Sequence, residues 1–201
     1  MKNLLTIITI SCVMLCMVSI AGAGELWGTG SPDWAYAASG PSPVIFKFDT
    51  ATGVIGTTFS FGAHNWMWIS GLADSGKYLY ASHNIYNLKT EPRSPDTHDF
   101  KIAKINRYTG AVLSDTSIAG FLGQTLSQVN ALEFNDGRLY GVENATSGST
   151  IRGYAMEILL DANGDVVGAT KGAFVGPYPD CGLDYYNGVW YATSWGYTPL
   201  G

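Results

Sequence analysis

The chain has 201 residues, of which only 13% are charged, and its formal net charge is −5. Hydrophobic residues make up 46% of the sequence, which is enough to build a core and excludes an intrinsically disordered chain. The acidic balance and the lack of any lysine or arginine cluster also exclude a nucleic-acid partner, which requires a basic surface.

The first 23 residues have the layout of a secretory signal peptide. Lys2 supplies a positive start, an uncharged apolar stretch runs from Leu4 to Ile20, and three small residues end at Ala23. This order predicts cleavage after Ala23 and a secreted, periplasmic or cell-surface protein with no membrane partner afterwards. The alternative is an uncleaved membrane anchor, because the apolar stretch approaches the length that spans a bilayer.

The rest of the chain contains a repeated segment with a glycine turn and a following tyrosine. The three copies are residues 69–83, 129–143 and 181–194, which place Tyr80, Tyr140 and Tyr191 in equivalent positions. An earlier Leu-Trp-Gly at residues 26–28 matches part of the segment and places Trp27 at the tyrosine position. Asp-Gly, Asn-Gly and Ser-Gly turns favour tight hairpins, so each copy is predicted to be a pair of antiparallel strands.

A second repeated unit follows each of the first three of these segments. Residues 44–61, 100–118 and 154–174 each contain an alternating strand, a turn that ends in glycine, and another strand rich in valine and threonine. Four short strands in about 50–60 residues are the sequence signature of a β-propeller blade. The predicted repeats span residues 24–68, 69–128, 129–179 and 180–201.

These units resemble secreted propellers in which Leu-Tyr-Gly strands precede an Ile-x-x-Ile-Asp-x-x-Thr-Gly hairpin. Residues 46–53 and 102–110 match that hairpin best, whereas residues 159–164 lack the threonine. Similar units occur in quinoprotein-like and YVTN-type propellers, and in bacterial exported proteins with a C-terminal sorting signal. The resemblance implies an all-β, β-propeller-like fold with four-stranded antiparallel blades.

The length of the chain after Ala23 limits the number of blades. It accommodates an incomplete ring of about three blades plus a partial fourth, whereas propellers typically have about four to eight. We therefore expect a truncated propeller. Its end blades lack neighbours and are expected to allow self-association.

Candidate ligand-binding residues cluster on one loop-rich face of the predicted blades, where residues 62–68, 84–100 and 143–153 are expected to be loops. His64, Trp66 and Trp68 suggest an aromatic platform with a titratable neighbour, which suits stacking on sugars or planar ligands. The alternative is that both tryptophans pack between blades. His83 and His98 lie at the two ends of a long polar insertion, which is either a binding element or a flexible loop.

Other candidates lie where the innermost strands begin. Ser70, Asn130 and Cys181 occupy equivalent positions in the repeat and would approach the axis of a closed ring. Their side chains differ, so they form no recognisable catalytic pattern.

Residues 161–165 resemble a calcium loop, but the glycine and glutamate that such a loop requires are missing further along.

Catalytic signals are weak as well. His83 and His98 could converge with Asp96 and Asp99 on a metal, but they lack the close spacing of a zinc motif. No G-x-S-x-G nucleophile motif is present.

We therefore predict an exported, non-catalytic β-propeller that binds a protein or glycan, or acts as a scaffold, without a cofactor or metal. The alternative is a propeller hydrolase or lyase with a histidine-based site that can depend on a metal.

Overall fold

The computed structural model describes residues 25–30, 43–64, 66–85, 99–118, 128–147, 150–177 and 179–194. Their regular structure is β-strand apart from a 3-10 helix at Gly62–His64. In this part of the chain no helix is long and apolar enough to cross a membrane. The strands are β1 Glu25–Gly30, β2 Val44–Asp49, β3 Ile55–Ser60, β4 Trp66–Asp74, β5 Tyr78–Ile85, β6 Asp99–Asn106, β7 Val112–Ser117, β8 Gln128–Asn135, β9 Arg138–Ser147, β10 Thr150–Leu160, β11 Val166–Pro177, β12 Pro179–Tyr186 and β13 Val189–Ser194.

The strands form four antiparallel sheets, each built from strands that are consecutive in the chain. Sheet I contains β1–β3, sheet II β4–β7, sheet III β8–β11 and sheet IV β12–β13. Sheets II and III are complete four-stranded meanders, and their first strands, β4 and β8, lie beside each other, as do β8 and β12. The predicted all-β fold, with four-stranded antiparallel blades in an incomplete β-propeller-like arrangement, is confirmed.

The hairpin turns fall at the repeated glycines. All six of these glycines have a positive φ, between 71° and 81°. In two turns the preceding residue is also left-handed, Asp136 at 49° and Asn187 at 51°, which is the geometry of a type I′ hairpin turn. The glycines are Gly53, Gly76, Gly110, Gly137, Gly164 and Gly188.

The hydrophobic core lies in layers between neighbouring sheets. Because side chains alternate along a strand, Leu79 of β5 faces sheet I while Tyr80 faces sheet III. The layer between sheets III and IV is small and contains Ala131, Val142 and Leu183. Each sheet therefore depends on its neighbours for burial, as in other repeat folds. The larger layers contain Trp27, Ile45, Leu72 and Ile105 between sheets I and II, and Ile102, Leu132, Leu139 and Ile158 between sheets II and III.

Two segments that we expected to be loops contain strand. Residues 143–153 are largely the paired ends of β9 and β10, with Thr150 opposite Ser147 and Ile151 opposite Thr146. Residues 62–68 include the start of β4. Both corrections have the same physical reason, because β-branched and aromatic residues in these segments favour extended, paired backbone over a solvated loop.

Candidate functional site

A stack of aromatic rings lies at the beginning of β4, in the layer between sheets I and II. Trp66 lies almost parallel to Phe61, with ring centroids 4.5 Å apart, and its ring also stacks on His83 at 3.8 Å. His64 tilts against Trp66 at 5.6 Å. We call Phe61, His64, Trp66 and His83 the aromatic stack.

Local backbone structure positions this stack. The backbone NH of His64 donates to the carbonyl of Phe61 at 2.9 Å, which closes the 3-10 turn and folds His64 back over the rings. The pairing of β4 with β5 shifts register between Trp66 and Trp68. Such a bulge re-aims side chains, and here it accompanies the burial of Trp66 against sheet I.

His83 is held by a carboxylate from the far edge of sheet II. Its Nε2 lies 2.7 Å from Oδ1 of Asp115 on β7, and its own side chain is 0% exposed. The other ring nitrogen, Nδ1, is buried and has no hydrogen-bond partner among the described residues. A carboxylate on one imidazole nitrogen fixes the ring orientation, as it does for histidines in catalytic triads and metal sites.

The structure separates the members of the predicted aromatic platform. His64 is exposed, whereas Trp66 is only 4% exposed and Trp68 is half-buried. Trp66 therefore packs between sheets I and II, and its ring is not an open platform. Large aromatic surfaces gain most when they leave water, which the contact with Phe61 and sheet I achieves.

The other predicted site residues lie elsewhere. Ser70 of β4 and Asn130 of β8 are both buried. The hydroxyl of Ser70 donates to the carbonyl of Val129 at 2.8 Å and therefore joins sheets II and III. Asp96 and His98 lie outside the described residues, as do the side chains of Asp99 and Cys181.

The turn that resembled a calcium loop is a hairpin closed by its own carboxylate. Oδ1 of Asp161 accepts the backbone NH groups of Asn163 and Asp165, each at 2.8 Å. Hydrogen bonds from Lys104 and Ser114 lower the pKa of Asp165, and Nζ of Lys104 lies 2.5 Å from Oδ1 of Asp165. Within the described ranges, no group of three or more His, Cys, Asp or Glu side chains is placed to hold a metal ion.

Glu133 is a chemically unusual residue that the sequence analysis missed. It lies on β8, is 3% exposed, and its Oε2 has no hydrogen-bond partner in the described part of the chain. Burial raises the pKa of Glu133 to about 7, and the nearby charge of Asp184 on β12 adds to the effect. The sequence contains a signal for this residue. Glu133 and Asp184 each follow the leucine of the repeated segment, and the same position in the first copy is occupied by the apolar residue Ala73.

Replacing Glu133 with glutamine is expected to stabilise the protein at pH 8 but not at pH 4. A carboxyl whose folded-state pKa lies above its ordinary value binds its proton more tightly when folded, so wild-type stability falls as pH rises from about 4.5 to about 7. Ionising it in the folded state costs on the order of 3 kcal/mol. Urea unfolding at both pH values measures the difference. Glu25→Gln, at a half-exposed carboxyl paired with Lys47, is the control, and equal pH profiles for the two variants would contradict the prediction.

No protein-family model matches the chain, and no curated protein matches it. The chain is similar to the crystal structure of a glycoside hydrolase family 43 arabinoxylan arabinofuranohydrolase from Bacillus subtilis in complex with cellotetraose, with 17% identity and a TM-score of 0.49. The similarity covers 79% of this chain but only 38% of that one, so this chain spans well under half of its length. At this level of similarity we transfer neither activity nor substrate.

Proposed function

We propose that this chain is an exported, non-catalytic β-propeller module that binds a partner or acts as a scaffold. The observation that carries the proposal is the burial of His83, whose side chain is 0% exposed and whose Nε2 is engaged by Asp115. A general base must come within hydrogen-bond distance of its substrate. His83, covered by Trp66, instead supports the packing of sheet II against sheet I. Export rests on the layout of the first 23 residues.

The exposed part of the aromatic stack is the proposed recognition surface. His64 is exposed, and its imidazole lies 6.2 Å from Phe61 and 5.6 Å from Trp66. A polar, titratable ring supported by buried aromatic rings presents hydrogen-bonding atoms at a rigid position. This arrangement suits contact with a glycan hydroxyl or a polar protein group.

A glycan array and an affinity pull-down with the full chain test the proposal. We expect a bound glycan or protein whose affinity falls at least tenfold in His64→Ala. Lys77→Ala, an exposed substitution beside the turn glycine Gly76, is the control and should bind like the wild type. Binding that His64→Ala leaves unchanged, or turnover of an arrayed glycan by the wild type, would contradict the proposal.

A second candidate function is a hydrolase or lyase with a histidine-based metal site. It is favoured by the orientation of His83, because Asp115 holds Nε2 while Nδ1 has no hydrogen-bond partner among the described residues. His98 would have to supply a further ligand. Elemental analysis of the purified protein separates the two candidates. A stoichiometric divalent metal that is lost in His83→Ala would support the enzyme, whereas a metal-free protein supports the binding module.

A further inference from the structure

The hairpin turn of one sheet packs on the sheet that precedes it in the chain. The β6–β7 turn of sheet II lies on sheet I, where Gly110 contacts the ring of Phe59 so closely that a Cβ there would collide with it. In the same turn the guanidinium of Arg107 lies 5.7 Å from the ring centroid of Trp27 on β1. Trp27 is the residue that matches the repeated tyrosine.

The same contact occurs between sheets II and III. The hydroxyl of Tyr80 on β5 donates to the carbonyl of Gly164 in the β10–β11 turn at 2.9 Å. Lys104 of sheet II also donates to the carbonyl of Asn163 in that turn, at 3.2 Å. Burial raises the pKa of Tyr80 to about 12, so its hydroxyl remains a hydrogen-bond donor at neutral pH. In both cases the turn of one repeat lies beside an aromatic residue of the preceding repeat, Trp27 or Tyr80, and these two residues are equivalent in the repeat.

Within the described part of the chain, one turn of this kind has no residue packed on its glycine. In the β2–β3 turn of sheet I, residues 50–54 are exposed, and a Cβ at Gly53 would meet no atom within 4 Å. The turn is nevertheless ordered, because Oδ1 of Asp49 accepts the backbone NH groups of Ala51 and Thr52, each at 2.9 Å. Asn106 and Asp161 brace the two docked turns in the same way. The free turn thus already has the shape of a docked one.

An equivalent aromatic residue that is exposed lies at the other end of the described chain. Tyr191 on β13 is equivalent to Tyr80, yet it is 55% exposed, and Tyr186 and Val189 on the same face of sheet IV are exposed as well. The opposite face of sheet IV packs on sheet III, where Trp190 contacts Tyr140 at 4.6 Å. We call Tyr186, Val189 and Tyr191 the open face of sheet IV.

We propose that the β2–β3 turn of one copy of this chain docks on the open face of sheet IV of a second copy. The chain already makes this kind of contact twice internally, between a hairpin turn and an aromatic strand. A second copy is the occupant because its exposed turn supplies the partner that the exposed aromatic strand of sheet IV lacks. The contact uses different surfaces on the two partners. It is therefore heterologous, and it generates a closed ring or an open chain of copies.

Cross-linking tests the geometry. Thr52→Cys and Val189→Cys are made separately in the full chain with Cys12, Cys16 and Cys181 replaced by serine, and the two proteins are mixed under oxidising conditions. We expect a disulfide-linked dimer in the mixture and none with either protein alone. A dimer from one variant alone would indicate a contact between identical surfaces and would overturn the proposal, as would the absence of any dimer in the mixture.

Sedimentation velocity tests the energetics. The mass of the wild type is expected to rise with concentration, and Tyr191→Asp to weaken this association at least tenfold, because a carboxylate would be buried against the turn. Val167→Asp changes an exposed valine on β11 and should associate like the wild type. A wild type that stays monomeric, or a Tyr191→Asp variant that associates equally well, overturns the proposal. Circular dichroism checks folding, and the cross-linking result decides the question if Tyr191→Asp unfolds.

Discussion

Replacing Arg107 with methionine is expected to lower the free energy of unfolding by about 3–5 kcal/mol. The side chain of Asp74 is 0% exposed, and Nε of Arg107 donates to its Oδ2 at 2.8 Å and its Oδ1 at 3.1 Å. Without the guanidinium, the carboxylate stays buried and keeps only the backbone NH of Gly76 as a described donor. The variant also loses the contact between Arg107 and Trp27, which helps to join sheets I and II.

Urea unfolding at pH 7 measures this loss, with Arg138→Met as the matched control. The guanidinium of Arg138 is 62% exposed and lies 3.5 Å from Glu157, so removing it should cost no more than about 1 kcal/mol. The double variant Asp74→Asn with Arg107→Met should recover part of the stability, because no charge is then left buried. Equal losses for the two arginine variants would show that burial of the Asp74 pair is not the cause.

Replacing Gly71 with alanine is expected to destabilise the protein by about 3 kcal/mol. A Cβ at this position of β4 would lie 2.9 Å from both the carbonyl carbon of Ala131 and the backbone nitrogen of Leu132 on β8. Backbone atoms of a paired strand cannot rotate away, so the first strands of sheets II and III would have to separate. The hydrogen bond from Ser70 to Val129 would lengthen with them.

Thermal unfolding compares Gly71→Ala, where the added Cβ would collide with backbone atoms, with Gly30→Ala, where it would not. A Cβ at Gly30 would meet only side-chain atoms of Phe46 and Val44, at 3.5 and 3.6 Å, which is ordinary contact. We expect a clear fall in the midpoint for Gly71→Ala and little change for Gly30→Ala. If the two variants melt alike, the close approach of β4 to β8 does not limit the packing of these sheets.

Features that depend on neighbouring residues were predictable from the sequence. The glycines of the repeat predicted the positions of the turns, because a positive φ is a property of a few adjacent residues. Alternation of apolar and polar residues predicted the strands, and the repetition of both patterns predicted sheets made of consecutive strands. For the same reason Asp161 was better explained as part of a hairpin than as a calcium ligand.

The candidate site was harder to predict, because it depends on contacts between distant residues. The sequence grouped His64, Trp66 and Trp68 in one platform, but only packing against Phe61 decides that Trp66 is covered while His64 is exposed. The partner of His83 comes from β7, 32 positions along the chain, and nothing in its own segment indicates Asp115. Glu133 looks like an ordinary acidic strand residue until burial and Asp184 raise its pKa.

Successive antiparallel sheets with glycine turns could be predicted from the residue pattern alone, because pairing and turning are governed by residues close together in the chain. Which face of each sheet is covered, and which titratable groups lose contact with water, depends on how the sheets pack in three dimensions. Whether a side chain is buried depends on the sheet that packs against its face, and no single repeat encodes which sheet that is. The same reasoning explains why Tyr80 is covered by a turn while its equivalent Tyr191 is exposed.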